Sequence, residues 1–370
     1  MKNFGIYIHI PFCASKCNYC SFVSKPASVL EQKKYVDFLC TEIKNKSELF
    51  NKKICKTVYF GGGTPSLISD SLIKKILQII KLNYNLSKNA EISIECNPCT
   101  ISKQKLKKYL KYGINRISFG IQSFFDGELK ILGRRHNCIQ AQNAVLLAKE
   151  VGFKNISADV MIGIPNQTKD SLKGSIKKLI SLGVTHISAY MLMLEQDTPL
   201  CEMVNKKALT VASDDDCVDM YNMAYKLLKQ NGFTRYEISN FAKQGFECRH
   251  NINYWDMGEY VGFGVSAHSY YCGERIANSN NFSDYYNGKN IKIEKLTNKM
   301  KIEETIMLGL RQKKGVSIKK LKSLGYDILS IKSDEMNMLK NNKLVKIESG
   351  QLKITPKNFG VTNAIVLKLI

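Results

Sequence analysis

The chain has 370 residues, of which 44% are hydrophobic; this length exceeds a single ordinary core, so we expect one large domain and one small domain. Its apolar runs are far too short to span a bilayer, which excludes a membrane-spanning protein. The net charge of +23 is spread along lysine-rich helices such as 103–111 and 313–322, so we interpret it as solvated helix faces and predict no nucleic-acid partner.

Strands and helices alternate about six times along the first half of the sequence. The predicted strands are 4–10, 57–60, 91–96, 116–122, 155–162 and 186–192, and the predicted helices are 29–49, 72–82, 102–112, 137–151 and 169–182. This alternation indicates βαβ units with a parallel sheet and right-handed crossovers. Polar residues follow most of the strands, which favours a partial (β/α)6 TIM-like barrel of the α/β class over a doubly wound sheet.

The pattern changes after residue 194. A helix is predicted over 213–230, followed by a stretch rich in Gly and aromatic residues, 233–271, with no long helix. Short helices at 301–311, 318–324 and 334–341 and a hairpin around Ser349 and Gly350 predict a small, mostly α, winged-helix-like module. We therefore predict a core at 1–232, an aromatic segment at 233–298 and a C-terminal domain at 299–370.

Three cysteines, Cys13, Cys17 and Cys20, lie within eight residues directly after the first strand. Three thiolates on one tight loop suit an iron–sulfur cluster, and a four-iron cubane held by three thiolates keeps one iron open. A structural zinc loop and unrelated buried thiols are the alternatives, although no fourth Cys or His for zinc lies close by in sequence. The N-terminus lacks a signal-peptide pattern, so we expect a cytoplasmic protein whose twelve cysteines serve metals or remain free thiols.

A run of glycines, FGGGTP at 60–65, follows the second predicted strand. Glycines at that position let a ligand approach the backbone closely. With CxxxCxxC, this run resembles the radical S-adenosylmethionine (SAM) superfamily, and more narrowly its oxygen-independent coproporphyrinogen III oxidase-like group. The narrower resemblance rests on YIHIPFC, GGGTPS, IECNP, SFGIQSF, LGRRH and DVMIGIP, which begin at Tyr7, Gly61, Ile94, Ser118, Leu132 and Asp159.

The resemblance implies a [4Fe-4S] cluster on Cys13, Cys17 and Cys20, with SAM chelating the open iron. The residues that match the family's SAM contacts are Tyr7, Gly62, Gly63, Thr64, Glu95, Gln122, Arg134 and Asp159. Tyr19, which precedes the last cysteine, is expected to shield the cluster and pack on the ligand. Glu95 and Asp159 are charged residues inside apolar strands, where a carboxylate needs a partner.

Two features distinguish this chain from the oxidases of the group. Phe22 stands where the oxidases carry a fourth cysteine, and only twelve residues precede Cys13, where the oxidases have a longer extension. The segment CRHNINYWDMGEY, which contains HNxxYW, resembles the HemW-type haem chaperones of this superfamily, and that resemblance implies haem binding by His250. His268, Met257 and Cys248 are weaker candidates for haem iron, and a histidine satisfied inside an aromatic loop is the structural alternative.

The function predicted is therefore a haem chaperone that binds haem, a [4Fe-4S] cluster and exchangeable SAM, and transfers haem to an unidentified acceptor protein. The alternative is an oxygen-independent coproporphyrinogen III oxidase, in which radical chemistry from SAM decarboxylates propionates. We assign no catalytic residue. Membrane contact is expected only through an acceptor, and a homodimer is compatible with the sequence.

Overall fold

The computed structural model describes residues 3–370 and places the first six strands side by side in parallel. These strands are β1 (Asn3–Ile10), β2 (Ile54–Gly62), β3 (Leu86–Cys96), β4 (Arg116–Gln122), β5 (Asn155–Ile162) and β6 (His186–Met191). The helices between them are α1 (Val29–Asn45), α2 (Asp70–Asn83), α3 (Lys103–Tyr112), α4 (Asp126–Ile131), α5 (Cys138–Glu150) and α6 (Lys169–Leu182). The predicted alternation is confirmed, while α4 and the 3-10 turn Ser47–Phe50 after a shorter α1 were not predicted.

The second half of the chain contains shorter elements. The middle segment contains α7 (Pro199–Asn205), α8 (Asp214–Gln230), β7 (Thr234–Arg235), β8 (Asn240–Ala242), α9 (Arg249–Trp255), β9 (Tyr260–Phe263), β10 (His268–Tyr271), β11 (Glu274–Ala277), α10 (Phe282–Tyr286) and β12 (Lys292–Lys295). The C-terminal region contains α11 (Asn298–Leu310), β13 (Val316–Ser317), α12 (Ile318–Ser323), α13 (Ile328–Ile331), α14 (Ser333–Asn341), β14 (Val345–Glu348), β15 (Gln351–Ile354) and α15 (Thr362–Leu369). Strands β14 and β15 form the predicted hairpin, and β13 pairs with β15 to complete a small antiparallel sheet.

The main sheet has twelve strands in the order β12-β11-β10-β9-β1-β2-β3-β4-β5-β6-β8-β7. Strands β1–β6 therefore form the predicted partial barrel, and β9 extends it in parallel beside β1. Strands β10, β11 and β12 continue that edge in antiparallel fashion, while β8 and β7 extend the edge beside β6. The segment 233–298 thus shares one sheet with the core, and the domain boundaries themselves stay predictions.

Polar caps and glycines explain where the helices begin and end. The side chains of Ser69, Ser102 and Ser213 accept backbone N–H groups at the starts of α2, α3 and α8. Gly113 and Gly183 end α3 and α6 in the left-handed conformation, at φ values of 101° and 74°. Within residues 3–370, every helix is too short or too polar to traverse a lipid bilayer.

The two faces of the parallel strands differ in chemistry. One face carries aliphatic residues such as Ile94, Ile117 and Val160, which are buried in the main hydrophobic core. The alternate positions carry polar or small residues, and they face the inside of the barrel; these positions include Tyr59, Glu95, Arg116, Ser118, Asp159 and Ser188. A polar interior in a parallel barrel marks the place where a ligand or a buried network belongs.

Candidate cofactor site

The three cysteines lie on the loop between β1 and α1, at the mouth of the barrel. All three are half-buried free thiols. The Cys13 Sγ lies 3.4 Å from the Thr64 Oγ1, and the Arg134 Nη1 donates to the Cys17 Sγ at 3.4 Å. A hydroxyl and a guanidinium, two groups that form hydrogen bonds with sulfur, therefore lie beside two of the three thiols.

The loop is attached to the helix that follows β4. Asn18 donates its backbone N–H to the Leu132 carbonyl at 3.0 Å and its side-chain amide to the Ile131 carbonyl at 2.9 Å. No three His, Cys, Asp or Glu side chains within residues 3–370 converge as ligands of a single metal ion. A cubane presents its irons at separate corners, so three thiolates can bind it without converging on one point.

A cavity of about 850 Å³ opens beside these thiols. The predicted residues that line it are Cys13, Cys17, Tyr19, Cys20, Gly62, Gly63, Thr64, Glu95, Gln122, Arg134 and Asp159. Phe22, which replaces the fourth cysteine of the oxidases, also lines it. The cavity has the size of a small-molecule site, and these side chains come from the cysteine loop and from the ends of several strands.

Two half-buried carboxylates, Glu95 and Asp159, line the cavity. The Tyr59 hydroxyl donates to the Glu95 Oε1 at 2.8 Å, and the Ser118 hydroxyl lies 3.4 Å from the Asp159 Oδ1. Burial raises the pKa of Glu95 to about 7, with a further contribution from Asp159, and burial also raises the pKa of Asp159. Such carboxylates suit a cationic or hydroxyl-bearing ligand, and SAM offers both groups.

Gly62 is constrained by the protein itself, whereas Arg134 has a nitrogen without a partner. Gly62 has a φ of 106°, and a Cβ there would lie 2.7 Å from the His9 ring. Arg134 donates through Nη2 to the Gly120 carbonyl, while its buried Nε has no partner. An unpartnered guanidinium N–H next to the cysteine loop suits an anionic group of a bound ligand. The residues therefore fit a cluster and SAM.

Tyr7 and His250 do not line the cavity but lie behind Tyr59. The Tyr7 and Tyr59 ring centroids are 6.3 Å apart, and those of Tyr59 and His250 are 5.1 Å apart, with interplanar angles of 20° in both pairs. The Tyr7 and His250 centroids are 6.5 Å apart, so the three rings form a cluster in which each lies next to the other two. Tyr7 therefore supports the cavity wall through Tyr59.

His250 is enclosed within the protein, with an exposed fraction of 1%. Its Nδ1 lies 2.8 Å from the Thr57 Oγ1, and its Nε2 lies 2.8 Å from the Tyr254 hydroxyl. Burial, followed by the charge of Arg116, lowers the pKa of His250 to about 3 and keeps the ring neutral. Because both ring nitrogens are engaged, His250 does not fit haem iron in this conformation, and its role as a haem ligand stays a prediction.

The HNxxYW motif lies on helix α9, which packs inside the barrel against β1 and β2. Glu91 holds the start of this helix: its Oε2 accepts the Arg249 N–H at 3.0 Å and its Oε1 accepts the His250 N–H at 3.1 Å. Acidic groups at a helix N-terminus satisfy its free N–H groups and complement its dipole. The glycine-rich sequence around this motif gave no signal for the helix, which has only seven residues.

The other suggested iron ligands occupy different surroundings. His268 is exposed on β10, at one side of the sheet. The Cys248 thiol is buried and lies 3.6 Å from the Glu91 Oε1, while the Met257 sulfur accepts from the Thr305 hydroxyl at 3.4 Å. None of these three side chains lines the cavity.

Several cavity residues were not among the sequence predictions. They are Tyr59, Arg116, Ser118, Ser188, Tyr190 and Asn240 and, from the C-terminal region, Phe359, Thr362 and Asn363. The alternation of polar and apolar residues in RISFGIQ and HISAYM was a usable signal for the strand residues. The C-terminal residues had no such signal, because their place depends on how that region packs against the core.

Comparison with known proteins agrees with this geometry. The radical SAM superfamily profile matches residues 7–179, and the HemN C-terminal domain profile matches residues 296–359. The heme chaperone HemW of Lactococcus lactis is 33% identical over 98% of this chain and 96% of its own length. The heme chaperone HemW of Bacillus subtilis is 36% identical, with 85% of each chain covered.

A solved structure shows the same fold. The coproporphyrinogen III oxidase HemN from Escherichia coli, described as a radical SAM enzyme, superposes with a TM-score of 0.85 over 100% of this chain and 90% of its own, at 20% identity. At that identity the likeness concerns the fold alone. The near-complete coverage at 33% identity is the stronger finding, and by it this chain belongs to the HemW family within the radical SAM superfamily.

Proposed function

We propose that the protein is a haem chaperone, which holds a [4Fe-4S] cluster and SAM in the cavity, binds haem and transfers it to an acceptor protein. The observation that carries this proposal is the similarity to the heme chaperone HemW of Lactococcus lactis along nearly the whole chain. The side chains around the cavity, with their thiols, half-buried carboxylates and unpartnered guanidinium nitrogens, support the cofactor part of the proposal.

Cys13, Cys17 and Cys20 would hold the cluster, and Tyr19 and Phe22 line the cavity beside them. The glycines of β2 permit close approach of SAM to the backbone, and Glu95, Asp159, Gln122 and Arg134 would orient its polar groups. A reduced cluster with SAM supplies one-electron chemistry in the radical SAM superfamily.

The test is haem transfer by the anaerobically reconstituted protein. We expect stoichiometric haem binding, followed by a Soret shift when the loaded protein meets apomyoglobin, and a transfer rate that changes when SAM is added. A cluster-loaded protein that binds no haem would overturn the proposal.

The oxidase alternative is tested with the same preparation. Incubation with reductant, SAM and coproporphyrinogen III is expected to give no protoporphyrinogen, measured by chromatography. Catalytic turnover would show that the chain is an oxidase and not only a carrier.

His250 remains our proposed haem ligand, and its contacts dictate what that role requires. Helix α9 must leave the barrel, or the Tyr254 hydroxyl must release the Nε2. Tyr254→Phe removes the group that occupies this nitrogen, so we expect it to strengthen haem binding, whereas His250→Ala should abolish the histidine-ligated spectrum. An unchanged spectrum in His250→Ala would assign the ligand elsewhere.

A further inference from the structure

Arg116 lies on the floor of the cavity in an unusual state for a buried arginine. It is 2% exposed, and it lines the cavity with Tyr59, Ser188, Asn240 and Asn251. Two of its guanidinium nitrogens, Nε and Nη1, have no hydrogen-bond partner in the protein. Buried polar groups are almost always paired, so this cation calls for a partner that enters from the cavity.

The acidic residues whose charges act on Arg116, which are Glu91, Glu95 and Asp159, do not supply that partner. Glu91 adds to the electrostatic field at Arg116, but its two oxygens accept the N–H groups of Arg249 and His250. No carboxylate within residues 3–370 lies within ion-pair distance of the Arg116 guanidinium. The floor of the cavity therefore carries a positive charge without a paired anion.

A second buried arginine shows the contrast. Arg235 is 5% exposed, donates to the Pro356 carbonyl at 2.7 Å and to the Tyr221 hydroxyl at 3.3 Å, and stacks on the Phe359 ring with its centroid 3.7 Å away. The protein itself satisfies that guanidinium, which is the usual arrangement. Arg116 differs because two of its nitrogens have no partner in the protein, although the residue lines the cavity.

We propose that Arg116 binds a carboxylate of a ligand that occupies the cavity floor, and that this carboxylate is a haem propionate. A planar guanidinium is well suited to planar carboxylates, and a charged hydrogen bond there would stabilise the buried cation. This inference rests on the proposed function, since that function supplies the ligand with propionates.

The position along β4 separates this site from the cluster. Arg116 begins the strand and Gln122 ends it on the side of the cysteine loop, a span of roughly 20 Å at about 3.3 Å per residue. A SAM molecule bound to the cluster holds its own carboxylate at the cysteine end. The floor is thus available to a second carboxylate-bearing ligand.

The experiment compares haem with haem dimethyl ester, whose propionates carry no charge, by Soret titration of the cluster-loaded protein. The variants are wild type, Arg116→Gln and the control Arg275→Gln, which removes an arginine that pairs with Glu294 and Glu304 away from the cavity. We expect wild type to bind haem about tenfold or more tightly than the ester, as a charged hydrogen bond predicts. Arg116→Gln should lose that preference by weakening haem alone, while Arg275→Gln should keep it.

A parallel titration with SAM identifies the source of the carboxylate. If Arg116→Gln weakens SAM and leaves haem unchanged, Arg116 binds the carboxylate of SAM and the haem assignment is overturned. If it changes neither ligand, or weakens haem and the ester equally, the whole inference is overturned. Wild type that binds no haem would refute the proposed function, and the SAM titration would still decide whether Arg116 binds a carboxylate.

Folding of the variant is checked by circular dichroism. Should Arg116→Gln fail to fold, the comparison of haem with its ester in wild type decides the haem assignment, because equal affinities would overturn it. Arg116→Lys, which keeps the charge, should retain part of the preference for haem.

Discussion

At the scale of single residues, Glu95 links the chemistry of the cavity to pH. Its pKa is raised to about 7, chiefly because the side chain is buried, so near neutral pH the free protein is partly protonated at this group. A cationic ligand favours the ionised carboxylate. We therefore expect the affinity for SAM to rise about tenfold between pH 6 and pH 8, measured by calorimetry on the cluster-loaded protein.

Glu95→Gln provides the control for that prediction, because the amino group of SAM itself titrates in this range. The variant should bind SAM more weakly and with a flatter pH dependence. Identical pH profiles for the variant and wild type would show that Glu95 does not carry the effect.

Glu237 also has a raised pKa, and here the raised pKa affects the stability of the folded protein. It is 1% exposed on the segment between β7 and β8; its Oε2 accepts the Ser239 N–H at 3.1 Å and its Oε1 has no partner. Burial raises its pKa from 4.5 to about 7, so the folded state binds the proton more tightly than the unfolded state. Stability then falls as the pH rises from about 4.5 to 7, by roughly 3 kcal/mol for this group.

Glu237→Gln removes that loss, because the amide stays neutral at every pH. We expect a higher melting temperature than wild type at pH 8 and little difference at pH 5. Glu348→Gln is the matched control: Glu348 is an exposed carboxylate paired with Lys346 and Lys353, so its replacement should bring no gain at pH 8. A Glu237→Gln variant that gains nothing at pH 8 would contradict the prediction.

The sequence identified the residues of the cavity mouth better than those of its floor. Cys13, Thr64 and Arg134 stand in motifs with fixed spacing, so they could be assigned before the fold was known. Arg116 and Ser188 could not, because a strand has two faces and only the curvature of the sheet decides which one is inside. His250 was recognised by its motif, but the motif does not reveal that the side chain is buried. Its ring contacts Thr57, which is distant in sequence, and Tyr254, which lies in the same motif.

At the scale of elements, α9 is held in the barrel largely by Glu91. Glu91→Gln keeps one acceptor oxygen but replaces the other with an amide group that cannot accept the second N–H. We expect a loss of stability of about 1–3 kcal/mol and faster hydrogen exchange in residues 248–257, measured by mass spectrometry. If His250 binds haem after α9 is released, haem association should also become faster.

Glu42 provides a control for Glu91, because it is another carboxylate that accepts more than one hydrogen bond but does not contact α9. It lies on α1 and accepts from the Gly264 N–H at 3.0 Å and from the Tyr285 hydroxyl at 2.7 Å. Glu42→Gln should destabilise the protein without a selective rise of exchange in α9. Equal rates of hydrogen exchange in α9 of both variants would show that Glu91 does not selectively stabilise this helix.

The elements with strong local signals were predicted closely. Strands β4 and β5 and helix α6 begin and end at the predicted residues, because caps, glycines and alternation all agree there. The strands β7–β12 were not predicted, since each has only two to four residues and is stabilised by pairing with the core sheet. Short elements of this kind depend on tertiary contacts more than on their own sequence.

At the scale of the whole molecule, the C-terminal region completes the cavity. Phe359, Thr362 and Asn363 line it, although they are distant in sequence from the radical SAM motifs. Arg235 on β7 holds this wall through the Pro356 carbonyl and the Phe359 ring. The C-terminal region therefore forms part of the wall of a site whose chemical groups lie mostly in the core.

Arg235→Met should loosen that wall, because it removes a hydrogen bond and a cation–π contact while keeping an apolar stem of similar length. We expect SAM to dissociate several-fold faster, measured by stopped-flow competition, with the cluster content unchanged since no cysteine contact is touched. Arg275→Met is the control, because Arg275 pairs with Glu294 and Glu304 at the opposite side of the sheet and should leave SAM dissociation unaltered. Equal dissociation rates in wild type and Arg235→Met would mean that this wall does not limit ligand exchange, which would then pass on the cysteine-loop side lined by Tyr19 and Phe22.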